Sequence, residues 1–285
     1  MSVTEGVRAL EEGRAFVDLS GWRAVSVTGS DAVRWLNDLV TNRVDDIGES
    51  LVRRTLFLDR TGRIRADVLV APFLHGGGLC LLQDPVQPRP IDELLDPYVL
   101  SSDVALKDLT GRLGMVAFAN GGEAGTLLRF DRALGEPGDA GRRGEVRRFR
   151  QGTGEVEATM QDLEVARIRA GLPRFWVDVA EDTLPAEAGW DWMIDQAKGC
   201  FLGQESVAKI RNLGHPPRPV LAFDAEGEVL PLALIVAGGE EVGRITSVAP
   251  ADGGGTACIG RIRWEARDAA LTTAQGVPLG VRSTG

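Results

Sequence analysis

Cysteine, histidine and long apolar runs are what this 285-residue sequence has least of. Its three cysteines, Cys80, Cys200 and Cys258, stand far apart, and no Cys-x-x-Cys pair occurs. An odd, scattered set argues against a disulfide framework and agrees with a reducing compartment. With only His75 and His215 beside them, the grouped soft ligands of a self-held zinc or iron–sulfur site are missing, so no metal is expected. No apolar stretch approaches the ~20 residues that span a bilayer, which excludes a transmembrane helix. The opening MSVTEGVRALEEGR is polar and acidic and has no signal-peptide core. The expectation is a soluble, cytoplasmic protein with no membrane partner. Net charge is −9, a field that disfavours direct binding to nucleic acid.

What is present points to a globular chain. Hydrophobic residues make up 44% and charged residues of both signs 26%, enough for one large domain or two to three small ones. Residues 15–28 read as two short strands around Ser20-Gly21, followed by a helix with Ser30 as its cap and Val33, Leu36 and Val40 at helical spacing. LVRRTLFLD and RIRADVLVAPF, joined by Arg60-Thr61-Gly62, predict a hairpin. After a break at His75–Gly78 come the strand LCLLQ, a short helix in IDELLDPYVL, and two more strands, VALKDL and LGMVAFA. Such interleaving is the mark of α+β layering.

From Asn120 to Gly154 the composition turns to glycine, arginine and acids around one strand, EVRRFR. Its cluster of Arg142, Arg143, Arg147, Arg148 and Arg150 reads as a charged edge strand in preference to an RNA or anion contact. Residues 161–171 form a helix ended by Gly171, and 203–212 another, closed by Leu213-Gly214. The PPRP run at 216–219 marks the domain boundary, dividing the chain into 1–217 and 218–285. Beyond it, PVLAFDA, VLPLALIVA, EVGRITSVA and TACIGRIRW predict a small antiparallel barrel or sandwich.

The most informative stretch is Lys198-Gly199-Cys200-Phe201-Leu202-Gly203-Gln204-Glu205. A cysteine between glycines, just ahead of a helix start and next to a lysine, sits where a dipole and a cation favour the thiolate. Glu205 suits the first helical turn. The same pattern also describes a small cysteine in a glycine-rich turn, with Glu205 as a capping acid. Asp67 lies on a strand where alternate side chains point inward, and an inward acid needs a partner or a ligand. Trp176, Trp190 and Trp192 are candidates for core or for the wall of a ring-binding site. His215, beside two prolines, reads as a boundary-loop residue.

That octet, as K-G-C-[FY]-x-G-Q-E, resembles the signature of the YgfZ-type folate-binding proteins, relatives of the glycine-cleavage T-protein (aminomethyltransferase). WLNDLVTNRVDDI, LFLDRTGRIRADVLV, RIRAGLPRF, LPAEAGW, HPPRPVLAF and VGRITSVA resemble further blocks of that family, in family order over nearly the whole chain. The resemblance implies two α/β subdomains around a central channel plus a small C-terminal antiparallel β-barrel. It implies tetrahydrofolate or a derivative in the channel, and a role in maturing iron–sulfur enzymes, including those that modify tRNA. The partners it implies are a reduced folate and iron–sulfur enzymes or their assembly factors.

Residue by residue, Cys200 takes the place of the family's working cysteine and Asp67 that of the transferase acid. Lys198, Gly199, Gly203, Gln204, Glu205, Arg167 and Arg169, again with Asp67, are the expected folate contacts. Two positions depart from the aminomethyltransferases. Ala66-Asp67 stands where they carry paired acids, and Arg169 stands where R-x-E-x-G supplies a pterin-reading carboxylate. A guanidinium only donates hydrogen bonds. These departures argue against a working aminomethyltransferase. The competing readings are a tetrahydrofolate-dependent one-carbon transferase using Asp67 and a non-catalytic scaffold.

Overall fold

Three sheets, each with its own apolar core, account for nearly all of the regular structure. The structure, a computed structural model, describes residues 3–48, 52–73, 77–119, 128–129 and 155–282. The expected strand EVRRFR with its arginine cluster, and the turn residue His75, lie outside the described residues.

The first sheet runs in the order β8 (Leu128–Arg129), β7 (Val116–Ala119), β1 (Ala15–Asp18), β9 (Val156–Ala158). Its β1–β9 pair is parallel and the others antiparallel. Helices α1 (Glu5–Glu11) and α4 (Met160–Arg169) belong with it. A complete capping box starts α4: Thr159 accepts from the Asp162 amide while the Asp162 carboxylate accepts from the Thr159 amide.

The second sheet is wholly antiparallel, in the order β3 (Arg53–Leu58), β4 (Ile64–Pro72), β5 (Leu79–Gln83), β2 (Arg23–Thr28), β6 (Ala105–Asp108). Strand β4 alternates strictly: Ile64, Ala66, Val68 and Val70 are buried, while Arg65, Asp67 and Leu69 are half-buried. Ala66, Val68 and Val70 pack with α2 (Ala32–Leu39) and α3 (Ile91–Leu95), leaving Asp67 on the other face. The cap expected at Ser30 is not made. Asp31 is the N-cap, and the Ser30 hydroxyl instead donates to Asp103 at 2.7 Å, because that carboxylate also accepts from the Ser30 amide.

Past α5 (Gln204–Leu213), six antiparallel strands close a barrel in the order β10 (Val220–Ala225), β13 (Thr256–Ile262), β12 (Glu240–Pro250), β11 (Leu234–Ala237), β14 (Leu271–Thr273), β15 (Pro278–Val281). Closure leaves no free edge. The last two strands were not foreseen, being only 3 and 4 residues long with weak alternation. Residues 229–233, expected to extend a strand, instead turn, with Leu232 at φ +68°. A shared core joins the three parts: Leu56, Leu58 and Ile64 of the hairpin pack with Ile168, the 175–201 segment, and Ala249, Ala257 and Ile259 of the barrel. Among the described residues, no helix is long and apolar enough to cross a membrane.

Candidate functional site

Strands β1 and β2 are consecutive in the chain but belong to different sheets, and a cavity opens beside the crossing. Its floor is the face of the second sheet turned away from α2 and α3. Arg54 of β3, Asp67 and Leu69 of β4, Asp84 just past β5 and Trp22 just before β2 follow one another across it. The roof is α4, whose Met160, Leu163, Glu164 and Arg167 recur at helical spacing, followed by residues 172–175.

Every carboxylate on this wall is met by a guanidinium. Arg54 grips Asp67 side-on, Nε to Oδ1 at 2.9 Å and Nη2 to Oδ2 at 2.5 Å. Registry explains the pair: Arg54 lies opposite Leu69, one same-face step from Asp67. Arg174 holds Asp84 through Nε (2.7 Å) and Nη2 (2.9 Å), and reaches Glu164 through Nη1 at 3.1 Å. Burial pushes the Glu164 carboxyl up, but the hydrogen bonds and charges of Arg167 and Arg174 hold it below its ordinary value. The Gln87 side chain clips the 84–89 loop to β4, donating to the Asp67 carbonyl at 2.7 Å and accepting from its amide at 3.2 Å.

Arg167 is buried, and all five of its N–H groups are used within the protein. They go to both oxygens of Glu164, to the Leu172 carbonyl (3.0 Å), to Asp178 Oδ2 (2.7 Å) and to Ser247 Oγ of β12 (3.0 Å). Asp178 in turn accepts from Thr246, Ser247 and the Arg174 amide. The network therefore ties barrel to helix to sheet. Arg169, two residues further along α4, sits about 200° around the helix from Arg167. It pairs with Glu11 at 2.6 Å and Asp252 at 2.8 Å, which raise its basicity further. Arg169 thus braces α1 and the barrel and takes no part in the cavity wall.

Two donors of wall residues lack an acceptor among the described residues. Trp22 Nε1 is buried with no partner. Arg54 Nη1 makes no hydrogen bond among the described residues, although its guanidinium lies 5.2 Å from the Trp190 ring and 5.9 Å from that of Trp192. Trp190 is core, whereas Trp192 and Trp176 are exposed. Trp176 also has φ +71°, a strained conformation for so bulky a residue.

The octet lies apart from this cavity. Its helix α5 begins at Gln204, and Gly203 and Gly62 bring the helix start against the β3–β4 turn. A Cβ on Gly203 (φ +83°) would meet the Asp59 carbonyl at 2.5 Å, and one on Gly62 (φ +79°) the Ser206 Cβ at 2.9 Å. Glu205 is exposed in the first turn. The Lys198 ammonium, expected beside the thiol, reaches instead to the carbonyls of Asn37, Val40 (2.5 Å) and Asn42 (3.0 Å) at the C-terminal end of α2. A helix C-terminus presents unpaired carbonyls and partial negative charge, which suit the cation. Burial pulls this ammonium down to about 8 against the charges of Asp38, Asp195 and Asp45. Replacing Lys198 by methionine, which strands three carbonyls, is expected to lower stability by about 1–3 kcal/mol; thermal denaturation checks this, and an unchanged midpoint would contradict it.

Cys200 itself is exposed, and Gly199 beside it, at φ +101°, has open space around it. Cys80 and Cys258 are buried, and burial pushes both thiols up to about 12. A maleimide is therefore expected to label one thiol per native chain, mapped to Cys200, and three only after unfolding. Prompt native labelling of Cys80 or Cys258 would contradict this.

Residues 1–129 match the GCVT N-terminal domain. An aminomethyltransferase of Thermotoga neapolitana is 22% identical over 284 residues, covering 86% of this chain and 77% of that protein. One from Streptomyces avermitilis is 24% identical over 294 residues, covering 85% and 76%. A chloroplast protein of Arabidopsis thaliana named "Putative transferase" is 23% identical over 276 residues, 85% of this chain but only 63% of its own length. The crystal structure of glycine cleavage system aminomethyltransferase T from Bartonella henselae superimposes with a TM-score of 0.78 at 16% identity, over 98% of this chain and 88% of that one. The chain is thus similar to aminomethyltransferases over most of its length, and to the glycine cleavage T-protein in fold.

The fold is accordingly T-protein-like, with mixed α/β sheets and a closed C-terminal barrel. Within that T-protein frame the two departures acquire a physical meaning. Ala66 faces the α2–α3 core, completely buried, so an acid missing there removes nothing from the cavity wall. Arg169 faces away as well, and the carboxylate that α4 does turn to the cavity is Glu164. Sequence reasoning missed Arg54, Asp84, Glu164, Arg174 and Trp22. The i, i+3 pair Glu164–Arg167 and the same-face spacing of Arg54 and Asp67 across the hairpin were the available signals.

Proposed function

We propose that this chain binds a reduced folate in the cavity between the second sheet and α4, and acts as an accessory protein to iron–sulfur enzymes with Cys200 as its working thiol. The observation that carries the binding part is a cavity whose wall combines apolar side chains with three carboxylates held by three guanidiniums. Leu69, Leu163, Leu172 and Phe175 offer apolar cover for a flat ring, and the residual lone pairs of Asp67, Asp84 and Glu164 suit its N–H groups. When bound, a tetrahydrofolate supplies a reduced pterin able to carry a one-carbon unit.

The transferase reading keeps one observation in its favour: Asp67 does line the cavity. Both of its oxygens, however, already accept from Arg54. For the thiol, exposure and the open space at Gly199 support access by a large partner. The reading is tested in cells that lack this protein, by the activity of an iron–sulfur enzyme. Wild type should restore it and Cys200→Ser should not. Full rescue by Cys200→Ser would overturn the thiol's role and leave a scaffold.

A further inference from the structure

The charges on the cavity wall cancel: Arg54, Arg167 and Arg174 stand against Asp67, Asp84 and Glu164. An occupant that carried net charge into it would therefore be uncompensated, whereas a neutral ring with a polar edge would not. Of the three guanidiniums, Arg167 has no donor to spare, and Arg174 is committed to Asp84 and Glu164 at all three nitrogens. Arg54 alone keeps a nitrogen, Nη1, with no acceptor among the described residues, and Asp67 fixes the plane of its fork from one side. Its guanidinium also packs on the Trp190 and Trp192 rings, at 5.2 and 5.9 Å, neither of which lines the cavity.

We infer that Arg54 is the specificity-determining residue of this cavity, donating from Nη1 to an acceptor on the edge of the bound ring, so that the site selects a 4-oxo pterin over its 4-amino counterpart. The inference rests on the folate reading and sharpens it. An oxo group at the 4-position accepts a hydrogen bond, whereas an amino group there turns a second donor toward Arg54 and leaves both unpaired. The ring, rather than the dianionic glutamate tail, is the partner, because the neutral wall offers a tail no excess of positive charge.

Titration calorimetry with tetrahydrofolate and tetrahydroaminopterin tests this, with the tail-less tetrahydropterin pair as a second arm. Wild type should prefer the 4-oxo compound by about tenfold or more in both arms, since sites built around a hydrogen bond discriminate strongly against its loss. In the double variant Arg54→Gln with Asp67→Asn, which keeps the shape and removes both charges together, the preference should fall to within about twofold. Arg54→Lys, retaining the cation without the planar fork, should lie between, and circular dichroism establishes that each variant is folded. Equal or tighter binding of the 4-amino compound by wild type would overturn the inference and leave the folate reading standing. So would a preference confined to the tail-bearing pair. No binding of either compound would overturn the folate reading itself.

Discussion

Arg167→Met is expected to destabilise the protein by about 3–5 kcal/mol, a large part of a typical domain's total stability. The size follows from what is left behind. Asp178 is completely buried at its side chain and would lose its only guanidinium partner, keeping hydroxyl and amide donors alone. Ser247 and the Leu172 carbonyl would lose donors too, and Glu164 would depend on Arg174 alone. Because this one side chain bridges α4 and β12, its loss also weakens the docking of the barrel. Denaturant unfolding measures the effect, and a loss below about 1 kcal/mol would mean that Asp178 is served by water.

The same network sets the acid limit of stability. Glu164 is held below its ordinary carboxyl value in the folded protein, so the unfolded chain binds its proton more readily. Its contribution is then fully present above the unfolded value of about 4.5 and is lost as pH falls through the lower folded value. Wild type should therefore weaken below about pH 4.5, and Glu164→Gln should flatten that part of the profile.

Release of ammonia from an aminomethyl-loaded carrier protein is expected to run about 10²–10⁴-fold slower than in a working aminomethyltransferase, the usual effect of a missing proton-transfer group. The cause is Arg54, which makes a charge-assisted hydrogen bond to each oxygen of Asp67. Ala66 does not contribute, since its side chain is in the core on the other face of the sheet. Turnover comparable to that of a Streptomyces or Thermotoga aminomethyltransferase, measured side by side, would restore the transferase reading.

Patterns of period two and 3.6 made most elements legible: the β3–β4 hairpin, LCLLQ, α4 with its Gly171 stop (φ +70°), and the first barrel strands. Strands β14 and β15 were not legible, because short barrel strands are specified by closure against β10 and β11 rather than by their own residues. At the site, the face of β4 that carries Asp67 was legible, since strand alternation is local information, and the cavity lies on that face. Arg54, Asp84 and Arg174 were invisible for the opposite reason. Arg174 and Asp84 are 90 residues apart, and only the fold brings them to 2.7 Å. Arg167 and Arg169 looked equivalent in RIRAG, and the helical rotation of two residues sent one into the core network and the other to Glu11. The partners of Lys198 were not legible, because they lie more than 150 residues away in the chain: the carbonyls at the end of α2 hold its ammonium.

The central claim is that a reduced folate occupies the cavity between the second sheet and α4. Titration calorimetry of tetrahydrofolate into wild type and into Leu163→Trp, whose larger side chain fills the space under the roof, tests it most directly. Saturable heat at one equivalent is expected in wild type, with at least about a tenfold loss of affinity in the filled variant, a difference of roughly 1.4 kcal/mol or more. No heat in wild type, or equal binding by both proteins, would contradict it.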